Sequence, residues 1–298
     1  MRNITIAEAV FGLAFIACRC LAAMQAPTPV TTDPSPDKQF PPSIAGVTVP
    51  SHGVEMDATL YLAAGAGPHG TVLLLHGLPG YEQSGDLAQS IRRAGWNVLT
   101  FNYRGTWGTG GSFSSSTAID DTAHAIRFVR DPANAAKYRS DPKRLVLIGH
   151  SFGGFLAGYE GAHDPDITAV AMIAAVNLGR INVDPKERNE RLRRWELQMH
   201  PVHGTTAADL FAEAEHHATD WDYVQWAGAL RGRPVLLVEA DDQNRADMAA
   251  LAAALRAKAA VLLVEKPLAT DHSFSDHRIA LQAIIVNWLI QLNSNRER

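Results

Sequence analysis

Cysteine is nearly absent: two residues in a chain of 298, Cys18 and Cys20, both close to the start. They are too near each other to form an ordinary structural staple, so no disulfide framework or thiol chemistry is expected in the folded part. Charge of one sign is lacking as well. Lysine and arginine total 27 against 31 aspartates and glutamates, a formal net charge of −4, which excludes the electrostatic footprint of a nucleic-acid or anionic-membrane partner. The glycine-rich loop from Arg104 to Ser112 lacks both G-x-G-x-x-G and a G-K-[ST] ending, so it is not expected to bind a nucleotide, and no cofactor is expected. His216 and His217 are adjacent; they cannot share a helix face as an i, i+4 metal pair does, no Cys or Glu cluster joins them, and no metal site is expected. No apolar run is long enough for a membrane span, and no internal repeat or second folded domain is visible.

What is present is a globular composition, 46% hydrophobic, ample for one large core. Residues 1–26 combine Arg2, an apolar stretch from Ala9 to Cys18 and small residues at Leu21-Ala22-Ala23, the layout of a secretory signal. The expectation is export to a periplasmic or extracellular location, with lipid attachment at Cys18 as the lesser alternative and a cytoplasmic protein if the segment is not a signal. Residues 27–43, rich in proline, threonine and aspartate, read as an extended linker. The folded domain is expected over 44–298.

Within it, Ile44 to Val49 and Val54 to Leu62 alternate apolar and polar residues and predict an antiparallel pair at the sheet edge. Thr71 to Leu75 predicts a strand buried on both faces and Trp96 to Tyr103 another buried strand, and Ile167 to Val176, Pro234 to Glu239 and Val261 to Glu265 predict the further strands. Helical patterns between them set a βαβ rhythm. Asp120 and Asp121, placed near the first turn of a helix from Ala118 to Arg130, are expected as dipole partners, and Arg104 as half of a structural ion pair. The rhythm breaks over 180–229 into charged helical segments carrying Trp195, Trp221 and Trp226, a helical insertion over the carboxyl edge of the sheet. These tryptophans, with Tyr81, are candidates for an apolar substrate pocket; packing of the insertion onto the body is the competing use of each.

The decisive stretch is Leu145-Val-Leu-Ile-Gly-His-Ser151-Phe-Gly-Gly-Phe155. A strand running into G-x-S-x-G and then directly into a helix predicts a nucleophile elbow, with Gly149 and Gly153 leaving room for a strained turn at Ser151. The helix start aims amides and a positive dipole end at any oxyanion formed there. His76-Gly77-Leu78-Pro79-Gly80, at the end of an earlier strand, offers a second backbone donor. A serine hydroxyl needs a base, and the base an orienting carboxylate. Asp241 and Asp242 follow one late strand, and His272, with His277 shortly after, follows the next. The order serine, acid, histidine on successive strand ends is specific.

From about Val47 to the carboxyl end, these motifs make the chain resemble the α/β-hydrolase fold superfamily, and within it serine esterases and hydrolases related to dipeptidyl aminopeptidases, whose Tyr-Arg-Gly turn is matched by Tyr103-Arg104-Gly105. The resemblance implies an α/β fold with a mostly parallel twisted sheet of about eight strands, helices on both faces and a helical lid. It implies Ser151 as nucleophile, His272 as base, Asp242 as acid, and the backbone amides of Leu78 and Phe152 as oxyanion hole. Family spacing favours Asp242 over Asp241, although Glu239 stands where the family has glycine, and His272 over His277, which falls at the start of the last helix. The implied activity is hydrolysis of a small-molecule carboxylic ester through an acyl-enzyme. Cleavage of short peptides or amides, acyl transfer, and a catalytically silent binding protein are the alternatives. The oligomeric state is not specified.

Overall fold

The computed structural model describes residues 26–181, 185–258 and 262–294; the expected signal segment and both cysteines lie outside the described residues. In chain order the elements are α1 (Thr28–Thr31), β1 (Ser43–Ser51), β2 (Val54–Leu62), β3 (His69–Leu75), α2 (Gly85–Arg93), β4 (Asn97–Phe101), α3 (Ser115–Arg130), α4 (Pro132–Lys137), β5 (Ser140–His150) and α5 (Phe152–His163). They continue with β6 (Ala169–Ile173), α6 (Pro185–Glu196), α7 (Ala207–His216), α8 (Ala227–Leu230), β7 (Val235–Glu239), α9 (Arg245–Ala257), β8 (Leu263–Pro267) and α10 (Arg278–Ser294). The eight strands form one sheet in the order β1-β2-β4-β3-β5-β6-β7-β8. β1 and β2, and β2 and β4, pair antiparallel; every other pairing is parallel.

The period of two along each inner strand explains why these strands read as unbroken apolar runs. Val72 and Leu74 of β3, with Val146 and Ile148 of β5, face a cluster shared with Leu87 and Ile91 of α2 and Ile285, Trp288 and Leu289 of α10. Their neighbours Leu73, Leu75, Leu145 and Leu147 face the opposite cluster, with Ala125 and Val129 of α3, Phe155 and Leu156 of α5 and Leu251 and Leu255 of α9. With both faces covered, every strand residue needs to be apolar.

The structure departs from expectation in four places. Helix α3 starts at Ser115, because Ser114 and Thr117 form a reciprocal capping box. The short α4, unexpected from sequence, is set by Pro132 at its first position and by the Asp131 carboxylate, which accepts from the amides of Ala133 and Asn134. The stretch 27–43 is held down at several points: α1 rests against α2 and α10, Arg93 Nε donates to the Pro29 carbonyl at 2.6 Å, and the Arg139 guanidinium lies over the Phe40 ring at 5.8 Å. Asp121 is no surface dipole partner. It sits in the second turn of α3 fully buried, where its carboxylate accepts from Ser51 Oγ at 2.7 Å, from the Arg104 amide at 2.8 Å and from Arg104 Nε at 2.5 Å. Arg104 is thus the structural ion-pair partner expected of it, joining the β4 exit to α3 and to β1.

Removing one member of a buried pair leaves the other charge uncompensated. Asp121→Ala is therefore expected to lower stability by about 3–5 kcal/mol, measured by urea denaturation. A second consequence concerns Glu160 on α5, whose carboxyl is pushed from its ordinary 4.5 up to about 7, chiefly by burial and then by the neighbouring Asp164. The native state keeps a proton that the unfolded chain releases, so this group's contribution is fully present at low pH and is lost as pH rises from 4.5 to about 7. The wild type is expected to lose stability relative to Glu160→Gln across that interval, by an amount on the order of 3 kcal/mol, in parallel denaturation curves at each pH.

Candidate active site

Leu78, Ser151, Asp242 and His272 lie in the segments that follow the carboxyl ends of β3, β5, β7 and β8, where helix starts and loops converge. Ser151 follows β5 with φ +55° and ψ −115°, a region that costs a non-glycine residue about 1–3 kcal/mol. The turn is possible only without side chains at two flanking positions. A Cβ on Gly149 would sit 1.9 Å from the Gly153 carbonyl oxygen, and a Cβ on Gly153 would sit 2.1 Å from that of Leu75. The turn is held by the Ser151 amide donating to Ile173 O at 2.9 Å and by Val176 N donating to Ser151 O at 3.2 Å. Immediately behind, α5 begins with Phe152, whose amide has no partner among the described residues.

The loop after β3 passes directly over this turn: a Cβ on Gly77 would lie 3.1 Å from the Cβ of Ser151. Its Leu78 amide is likewise unpartnered among the described residues, so two N–H groups border Ser151 with their hydrogen-bonding capacity unspent. Three contacts fix the loop. His76 Nδ1 donates to Gly77 O at 2.7 Å, Tyr103 Oη donates to His76 O at 2.9 Å, and Trp107 Nε1 donates to Pro79 O at 2.7 Å. Burial lowers the His76 pKa to about 4, so its ring stays neutral in this role.

The loops after β7 and β8 meet beside the serine. His272 Nδ1 lies 2.6 Å from Asp242 Oδ2, and the other Asp242 oxygen accepts from the Asn244 amide at 2.8 Å. Asp241 turns outward to Arg245, and His277 pairs with Asp276 at 2.8 Å. His150, the residue inside the elbow, donates from Nε2 to the His272 carbonyl at 2.7 Å. Its pKa is lowered to about 3, first by burial and then by the nearby His272, so the neutral ring ties the histidine loop to the serine turn. Glu239, at the end of β7, is buried and its carboxyl is pushed up by burial and by Glu265.

Ser151 and His272 border two small cavities, of about 260 Å³ and 180 Å³, that also share Leu78. Phe152, Val176, Ile181 and Trp195 wall the first, and Tyr81 borders the second. Larger hollows elsewhere, one of about 840 Å³ beside Tyr159 and Trp226 and one of about 520 Å³ beside His76 and Asn102, do not reach Ser151. Convergent chemistry, not size, marks the site. Trp221 and Trp226, candidates for the pocket wall, are instead buried against Phe155 at 5.8 Å and 5.5 Å between ring centres. They pack the segment between β6 and β7 onto α5, while Trp195 and Tyr81 remain at the cavities.

A model described as the Alpha/beta hydrolase family matches residues 72–281. The chain belongs to that family. Among curated relatives of this α/β hydrolase is the uncharacterized protein YfhR of Escherichia coli K12, 37% identical over 87 residues, and its Salmonella typhimurium counterpart, 35% identical over 90. The aligned parts cover 28% of this chain and 28% and 27% of those proteins, respectively. Among solved structures, brefeldin A esterase, titled a bacterial homologue of human hormone-sensitive lipase, superposes with a TM-score of 0.60 at 18% identity, over 85% of this chain and 75% of that one. An esterase of Pyrobaculum calidifontis gives 0.60 at 18% identity over 82% and 83%. Pyrococcus horikoshii acylaminoacyl peptidase gives 0.62 at 14% identity, over 83% of this chain and 41% of that one. At these identities the likeness concerns the fold.

Sequence reasoning missed three contributors: His150, Trp107 and the pair Arg191 and Arg194, which border the cavity of about 260 Å³. His150 stands inside the elbow motif and was legible as a residue type, but its partner lies 122 positions away. Because no side chain fits at Gly153, Gly153→Ala is expected to destabilise the α/β hydrolase by more than about 4 kcal/mol or to prevent folding. Thermal melting of the purified variant beside the wild type measures this.

Proposed function

We propose that the chain is a serine hydrolase that cleaves small carboxylic esters. The observation that carries this reading is the 2.6 Å contact between His272 Nδ1 and Asp242 Oδ2 beside a serine held at positive φ. In the proposed reaction Ser151 Oγ attacks the ester carbonyl while His272 Nε2 takes its proton. Asp242 fixes the imidazole tautomer and stabilises the imidazolium. The amides of Leu78 and Phe152 stabilise the tetrahedral oxyanion, a contribution of roughly 3–4 kcal/mol per donor in comparable sites. His272 then passes the proton to the departing alcohol, leaving an acyl group on Ser151. A water, deprotonated by His272, attacks that acyl group; carboxylate is released and the hydroxyl of Ser151 is restored.

The modest volumes of the two cavities support short acyl and alcohol groups as the starting point for a substrate screen. Ser151→Ala is expected to abolish turnover of a short-chain nitrophenyl ester and labelling by a fluorophosphonate. Asp242→Asn, which leaves the shape intact but disturbs the tautomer, is expected to lower kcat by about 10⁴. Circular dichroism should show both variants folded, and full activity in Ser151→Ala would refute the assignment.

A further inference from the structure

Helix α6 carries two chemically distinct faces. Leu192 and Trp195, with Met199 just beyond the helix end, pack against the hydrophobic core. Arg191, Arg194, Trp195 and Gln198, spaced i, i+3, i+4 and i+7, border the cavity of about 260 Å³ that holds Ser151 and His272. The remaining polar lining is Gln243 and Asn244, and no aspartate or glutamate borders this cavity among the described residues. A protein of net charge −4 thus turns two guanidinium groups and no carboxylate toward its reactive serine.

The two arginines differ in what already holds them. Arg191 Nη1 donates to the Ile181 carbonyl at 3.2 Å, which fixes it in the cavity wall. Arg188, one turn earlier, is spent on Glu215 at 2.9 Å. Arg194 is exposed and forms no ion pair among the described residues. Basic residues in a last helical turn also complement the helix dipole, but Arg193 shares that turn and does not border the cavity. The dipole therefore accounts for the residue type and not for the orientation of Arg194.

From this we infer that the Ser151 site selects esters bearing a carboxylate, read by Arg194 at the mouth. A guanidinium accepts a carboxylate through two parallel N–H···O bonds, which supplies orientation as well as attraction. The inference rests on the ester-hydrolase reading for its chemistry. The carboxylate can belong to the acyl part, as in a hemiester of a dicarboxylic acid, or to the alcohol part.

Two matched pairs of esters separate these sources: nitrophenyl hemisuccinate against nitrophenyl butyrate, and the butyrate of 4-hydroxybenzoate against that of its methyl ester. The expected result is a kcat/KM ratio of about tenfold or more in favour of the anionic member of one pair, declining as salt is added. Arg194→Gln should bring that ratio near unity, Arg194→Lys should restore part of it, and Arg193→Gln should leave it as in the wild type. A ratio near unity in the wild type for both pairs, or one unaltered by Arg194→Gln, overturns the inference while ester turnover keeps the hydrolase reading. If no ester is turned over and Ser151 is not labelled by a fluorophosphonate, the hydrolase reading fails. The charge preference is then decided by titrating the same esters into Ser151→Ala: tighter binding of an anionic ester that Arg194→Gln removes upholds it, and equal binding overturns it.

Discussion

The structure depends on one backbone constraint, the turn at Ser151, where a strand becomes a helix within a single residue of positive φ. Strain of this kind persists only when the surroundings over-determine it. Here they do so from three sides. β5 is paired on both edges, by β3 and β6. The Ser151 amide is engaged by Ile173 at the end of β6 and its carbonyl by Val176 just beyond. Behind the turn, α5 is buried along most of its length between the sheet and the aromatic residues that follow α7. The position of the serine is thus set by the most deeply buried part of the molecule, and the groups that approach it come from more adjustable loops.

Those loops are locked by neutral polar groups in buried places. His76 and His150 both have strongly lowered pKa values, to about 4 and about 3, with burial as the leading cause. A charged imidazole there would carry an unpaired cation into a low-dielectric region. The neutral ring instead donates a hydrogen bond of fixed direction: His76 to its own loop and His150 to the carbonyl of His272. The second bond runs from the residue before the serine to the proposed base, so the two loops cannot drift apart without breaking it. Trp107 does comparable work at Pro79 O, which gives the glycine-rich turn after β4 a structural use. That turn is itself anchored to residues Pro201 and His203 through backbone hydrogen bonds, connecting the segment between β6 and β7 to the loop after β3.

What was legible in the sequence was what short-range geometry dictates. G-x-S-x-G between a strand and a helix fixes a turn because the two glycines meet backbone atoms only a few residues away or on the adjacent strand. The buried strands were legible because a sheet covered on both faces admits only apolar residues. Illegible features depend on partners remote in sequence. Asp121 reads as a first-turn acid because the preceding helical residues, Ser115 to Thr117, are polar and lack an apolar period, so periodicity alone starts the helix at Ala118, three residues late. Trp221, Trp226 and Trp195 are indistinguishable as residue types; the first two are buried on Phe155, while the third borders the serine's cavity. Which side a tryptophan faces is decided by the packing angle of the helices around it, and no periodicity within the segment encodes that angle.

The same distinction explains why the chemistry and the selectivity proposed for the site have different origins in the chain. The serine, the histidine, the carboxylate and the two amides stand at the ends of β3, β5, β7 and β8, and their relative positions follow from strand order and register in one rigid sheet. The wall that a substrate would meet comes from α6, which is joined to the body by the apolar contacts of Leu192 and Trp195 and by a few polar links such as Arg188 to Glu215. A surface attached in this way can change Arg191 and Arg194 without disturbing Leu192, which packs on the core, because these side chains leave one helix on different sides. Charge at Arg191 and Arg194 is therefore a property of the attached wall, and the acyl chemistry proposed for Ser151 is a property of the sheet.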